Sequence, residues 1–199
     1  MQGKGIIIRP NFSPILKTIA WIVLSIAITS CAASLNAKKQ PESNTIKAMP
    51  NGLPSMDTST AIYEVAVNEG VSYQDVIDSL KSVSEGMNFV NPANFPIGEH
   101  MKLRGVDPQG VKEVHSFCNL SMGTEIILDH PEFLVFAPCR IALYEKPDSN
   151  KKLKLYLGLD RPTFDLNSIK NPSERAKKSA QELEDALINL IDKARKGDI

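Results

Sequence analysis

A short N-terminal segment decides how much of this chain is left to fold. Lys4, Arg9 and Lys17 occur with no acidic residue around them, an uncharged run follows over residues 18–29, and that run ends in Ile28-Thr29-Ser30-Cys31, the form of a bacterial lipobox. A basic stretch, an apolar stretch and small residues at the cut are the three parts of a secretory signal, in order. Residues 1–30 are therefore expected to be a lipoprotein signal peptide. The Cys31 thiol is expected to accept a diacylglyceryl group, and the new amino terminus a fatty acid such as palmitate. At about 0.8 kcal/mol per buried methylene, several acyl chains hold a protein firmly where one holds it only reversibly.

The residue after the cysteine is Ala32 rather than Asp, which fits sorting to the outer membrane. The rival reading is an uncleaved anchor in the inner membrane, because residues 18–35 are almost free of charge and approach the length that spans a bilayer. Basic residues ahead of the segment favour a cytoplasmic N-terminus, so either reading places the rest of the chain on the periplasmic side.

Charge has to be counted on what remains. The whole chain holds 23 basic and 23 acidic residues, and losing Lys4, Arg9 and Lys17 leaves 20 against 23. The mature chain is mildly acidic with no basic stripe, which argues against a nucleic-acid partner. Residues 31–60, with Pro41, Pro50 and Pro54 among Ala, Lys, Ser and Asn, read as a lipid-anchored flexible linker. Residues 61–199 are then one domain, long enough to bury a core.

Alternation and helical spacing order the elements of that domain. Residues 61–67 read as a strand with Tyr63, Val65 and Val67 on one side. Ser72 and Asp75 form a capping-box start to a helix whose apolar positions are Val76, Ile77, Leu80 and Val83 and whose stop is Gly86. Residues 89–110 are loop-rich, with a short strand expected around 101–104. Residues 113–119 read as a strand, 121–130 as a short helix or an irregular crossing, and 136–144 with 153–159 as a hairpin turning at Pro147-Asp148-Ser149-Asn150. The last helix has Asn171 as cap, Pro172 at its first position and an apolar stripe of Ala176, Ala180, Leu183, Leu187, Leu190 and Ile191. The order predicts an α+β fold, a curved antiparallel sheet with two helices on one face.

Several of these residues carry a resemblance: Ser72-Tyr73 opening the first helix, the residues from Gly86 to Phe89 leaving it, Phe117-Cys118-Asn119, and Pro138-Cys139-Arg140-Ile141 with Tyr144-Glu145 before the hairpin. Over residues 61–192 the chain resembles the domain of unknown function 302 family. The resemblance implies a β-α-β4-α arrangement similar to the TATA-binding-protein fold, often paired as a dimer, and no particular reaction. The chain departs from that pattern in a longer loop between Asn91 and Gly110 and in Leu120.

Cys118 and Cys139 are the candidate thiols. Strand alternation places Val114, Ser116 and Cys118 on one face and His115, Phe117 and Asn119 on the other, so His115 and Cys118 form no ready chelate. Three readings stay open for the thiols: a structural disulfide suited to an oxidising compartment, two buried hydrophobe-like thiols, or a functional thiol, metal or haem site. The chain has no Cys-x-x-Cys and no paired-histidine spacing. His100, His115 and His130 each read as solvated or singly hydrogen-bonded. His115, Phe117, Asn119 and Arg140 are a candidate binding surface, either for an anion or for a dimer contact. Glu125, Asp129 and Glu132 lie too loosely for a paired-carboxylate mechanism, and no phosphate loop, nucleophile elbow or metalloprotease helix is present.

The reading that follows is an exported, membrane-tethered domain that binds a partner protein or a small ligand and catalyses nothing, with no cofactor and no metal. The alternative is a thiol, sulfur, metal or haem-handling protein acting through Cys118 and Cys139.

Overall fold

The computed structural model describes residues 45–199. The signal segment, Cys31 and the first part of the linker lie outside the described residues. Among the described residues no helix is long and apolar enough to cross a membrane.

Among the described residues seven strands and five helices follow in the order β1 Ile46–Lys47, β2 Met56–Asp57, β3 Ile62–Ala66, α1 Tyr73–Gly86, β4 Asn94–Phe95, α2 Ile97–Leu103, β5 Lys112–Phe117, α3 Leu120–Ile127, a 3-10 turn Pro131–Phe136, β6 Cys139–Pro147, β7 Leu153–Asp160, α4 Pro162–Asn167 and α5 Glu174–Ala194. Strands β3 to β7 make one antiparallel sheet in the order β3-β7-β6-β5-β4. The α+β class, the antiparallel sheet and the two principal helices on it are as expected.

Register sorts the side chains. Tyr63 lies opposite Leu159 and Val65 opposite Leu157, while Ile141 and Leu143 sit beside that pair on β6; all six are buried. This face carries the core. The α5 stripe from Ala176 to Ile191 closes over it, together with Val76 and Leu80 of α1. The opposite face shows Glu64, Ala142, Tyr144, Tyr156 and Arg140, tied together by Lys146–Glu64 and Arg140–Asp160 ion pairs and by stacked Tyr144 and Tyr156 rings 6.2 Å apart.

The helix starts show how local sequence fixes the ends. Ser72 accepts from the Asp75 backbone N–H at 3.1 Å while its own N–H donates to the Asp75 carboxylate at 2.8 Å, the reciprocal box that the Ser-x-x-Asp spacing predicts. The last helix starts two residues later than expected. Ser173, not Asn171, is its cap, accepting from Ala176 N–H at 3.0 Å, and Asn171 sits instead at φ +53°.

Three further expectations are corrected. Residues 101–104 are not a strand but the last turn of α2 with its C-cap Arg104, the helix beginning directly after Pro96 and packing Gly98 against the Lys112 backbone; the short edge strand lies earlier, at Asn94–Phe95. The hairpin's first strand begins at Cys139 rather than 136, because residues 131–136 close into a 3-10 turn behind Pro131. The linker does not run to residue 60. From residue 45 the chain folds back as the β1–β2 pair, burying Leu53 and Met56 in the core.

Two buried arginines hold that N-terminal strap. Arg161 donates to the carbonyls of Asp57 and Thr60 and pairs with buried Glu184 at 3.1 Å. Arg195 donates to the carbonyl of Asn51, to Asn68 and to Asp192. Each charge is buried with its hydrogen bonds supplied, the condition under which a buried ion is tolerated.

Candidate functional site

The four residues expected to share a surface do not share one. His115 lies opposite Ile141 and Phe117 opposite Cys139, so both face the helices, at 6% and 1% exposure. Asn119 is a structural brace: its side-chain oxygen accepts from Met122 N–H as the cap of α3, and its amide reaches the Met87 carbonyl at the end of α1. Arg140 pairs with Ser116 on β5 and points to the other side of the sheet, where it binds Asp160. The alternation was legible, but the covered face is the one expected to be open.

Among the described residues Cys118 and Cys139 are free thiols. Cys139 is packed with the core and burial pushes its thiol up to about 12; burial raises Cys118 as well. Cys118 bridges to Val90 one position beyond Phe117, so alternation turns it away from the side that Phe117 and Cys139 share. Thiols held in the protonated form are poor nucleophiles and poor metal ligands.

What β5 does build is a cavity. Helix α1 crosses above the β4–β5 edge, leaving a space of about 540 Å³ between its flank and the strands. Phe117 and His115 form the floor with Asn94 at the edge, Ile77, Leu80, Lys81, Ser84 and Glu85 descend from α1, and Phe89, Val90 and Asn91 close the third side. This is within the size range of small-molecule sites.

His115 is the one histidine in it, and it is held from behind. Its Nε2 lies 3.0 Å from a Glu113 carboxylate oxygen, and the other oxygen of Glu113 accepts from Tyr73 O–H at 2.8 Å. Burial, then the bond to Glu113, raises the Tyr73 phenol to about 12, so it stays a donor. His115 Nδ1 has no hydrogen-bond partner among the described residues, and no buried side-chain nitrogen or oxygen goes unpaired there. An unpaired Nδ1 is therefore not fully buried, and His115 is among the residues that line the cavity.

The sequence reasoning missed Glu113 and Tyr73. The available signal was Glu-x-His on a strand, since residues two apart share a face. The other histidines are apart from the cavity. His130 accepts from Ser173 N–H at 2.9 Å, and His100 is on α2 rather than in a loop. Beside His130, Arg175 and Ser173 hold the Asp129 carboxyl down to about 2, a surface brace between α3 and α5.

Comparison with known proteins places this geometry. The family model described as Domain of unknown function DUF302 matches residues 63–194, most of the folded part. The chain belongs to the DUF302 family. The crystal structure of an uncharacterized conserved DUF302 protein from Bacillus stearothermophilus is similar with a TM-score of 0.58 at 19% identity, covering 67% of this chain and 98% of that one. An uncharacterized protein of Aquifex aeolicus (strain VF5) is 34% identical over 82 residues, 41% of this chain; the chain spans about half, 51%, of that relative's length. The shared fold is the DUF302 sheet with its helices. The β1–β2 strap precedes the stretch matched by the DUF302 model.

Proposed function

We propose that this chain is an exported, lipid-anchored binding protein whose DUF302 domain holds a small ligand between α1 and the β4–β5 edge. The anchor part rests on the lipobox at Cys31, with sorting to the outer membrane favoured by Ala32.

The observation that carries the binding part is the cavity itself, with one buried histidine in its lining that Glu113 holds from behind. A carboxylate that orients a histidine from behind is an arrangement that fixes both tautomer and ring direction, as in metal and catalytic sites. Ser84 is the one hydroxyl residue in the lining, and its hydroxyl donates to the Lys81 carbonyl rather than to His115, which favours binding over covalent catalysis. The thiol, metal or haem reading through Cys118 and Cys139 is the weaker one, since burial keeps both thiols protonated and neither lines this cavity.

A fluorinated-fragment screen on the detergent-solubilised full chain tests the proposal. Fragments are expected to bind the natural chain and to be lost in Asn94→Trp, which projects an indole across the cavity mouth. Fragments that bind both proteins alike, or none that bind either, would count against it.

A further inference from the structure

Helix α2 is held by little and shows a great deal. Its one buried residue is Gly98, set against the Lys112 backbone. Residues three and four apart share a helix flank, so Ile97, His100, Leu103 and Arg104 form the side turned away from that contact. All four are exposed, Ile97 at 45% and Leu103 at 83%. The end of the helix adds a fifth residue. Gly105, at φ +73°, donates its N–H to the Lys102 carbonyl at 2.9 Å, and Val106 N–H reaches the Met101 carbonyl at 3.0 Å. This left-handed stop fixes Val106, 50% exposed, beside the last turn.

Charge is sorted across the same helix. Glu99, Lys102 and Asp107 line the cleft that α2 forms with β5, where Lys112 and Glu113 line it too. The outward flank keeps Arg104 and His100 and no carboxylate. A short aliphatic apex with a cation beside it and its acids turned away suits a lipid headgroup layer. A protein partner would need a far broader patch, about 800 Å² on each side of a standard interface, which three aliphatic side chains on a projecting turn do not supply.

We infer that the outward flank of α2 seats on an anionic bilayer surface, with Ile97, Leu103 and Val106 entering the headgroup layer and Arg104 pairing with lipid phosphates. This rests on the proposed anchoring. The contact is too small to hold the chain at a membrane, so it orients a domain that the lipid already tethers.

The single tryptophan of the chain, Trp21, lies in the signal segment, so Trp21→Phe combined with Leu103→Trp leaves one indole, on α2. The membrane-extracted chain carrying both changes is reconstituted into vesicles of brominated phosphatidylcholine, with and without phosphatidylglycerol. Flotation reports attachment separately from fluorescence. Attachment to both vesicles is expected, with the indole emission shifted to the blue and quenched by bromine in the anionic ones. Adding Arg104→Gln should cut the ratio of docked to free helix roughly fivefold, the effect of one cation at an anionic surface. Ile97→Ser should cut it roughly tenfold. Both residues are exposed, so neither change should alter flotation or the urea midpoint. Quenching that survives both changes would assign the contact to the introduced indole and overturn the inference. A chain that floats while its indole stays in water would overturn the docking and leave the anchor standing. A blue shift that bromine does not quench would set α2 against protein, a second copy included, and overturn it as well. No flotation with either vesicle would remove both the docking and the anchor.

Discussion

At the scale of single residues the domain keeps most of its charges in partnerships, and Asp165 is the exception worth following. Burial, then the nearby Asp160 charge, raises the Asp165 carboxyl to about 6, against a smaller lowering by Arg140. A carboxyl whose folded value is raised favours its protonated form in the native state. Its contribution to stability is full below about 3.8 and is lost as pH rises through about 6, because the native state there binds the extra proton. Asp165→Asn should therefore flatten the fall in stability between pH 4 and 6.5 and gain about 1 kcal/mol at pH 7, a figure discounted for the half-exposed setting. Urea unfolding of both proteins at pH 4 and pH 7 checks it; a constant difference between them at the two pH values would show that Asp165 does not titrate in this way. Nothing in the sequence marked Asp165, since its burial comes from α4, a helix that only Pro162 signalled. His115 shows the same limit from the other side: its strand face was assigned correctly, but which face the helices cover depends on packing from elements distant in sequence, α1 and α5.

Elements were legible where a local rule determines them. The α1 box, the α5 stripe and the β6–β7 hairpin follow from capping, 3.6-residue spacing and turn chemistry, and each stands within a few residues of its expected place. The errors fall where short pieces compete. The run Ile-Gly-Glu-His-Met-Lys-Leu after Pro96 has too few residues to show a helical stripe, and tertiary contact of Gly98 with Lys112 settles it. Residues 45–60 look like a spacer because their proline and polar content is high, yet two side chains, Leu53 and Met56, decide their fate. Met56 is 1% exposed, and Tyr63 O–H donates to the Pro54 carbonyl beside it at 2.8 Å. A buried methionine replaced by alanine costs about 2 to 5 kcal/mol, whereas the same change in a solvated spacer costs almost nothing. Met56→Ala should thus lower the urea midpoint strongly with little change in slope. A shift within about 0.5 kcal/mol of the natural chain would return residues 45–60 to the linker.

For the whole molecule, the folded domain and the proposed anchor answer to different parts of the chain. Everything from residue 45 onward is explained by one core: a sheet with helices on one face, a strap of two short strands and a set of satisfied buried charges. None of its helices has the length and apolarity to hold a bilayer, so within the proposed arrangement attachment falls to the segment before it. The two anchoring readings then differ in covalent structure. A lipoprotein loses residues 1–30 and gains acyl chains on Cys31; an uncleaved anchor keeps the full chain and leaves Cys31 unmodified. Intact mass of the membrane-extracted protein should show the shortened, acylated species, and labelled palmitate should enter it. Cys31→Ala should abolish the label and accumulate the full-length precursor, because the acyl acceptor also licenses the cut. Its domain should unfold at the same urea concentration as the natural chain, since Cys31 lies outside the described fold. An uncleaved, unacylated full-length chain in both proteins, their masses differing only by the substitution itself, would instead make residues 18–35 a retained membrane helix, and would leave the cavity facing the same compartment.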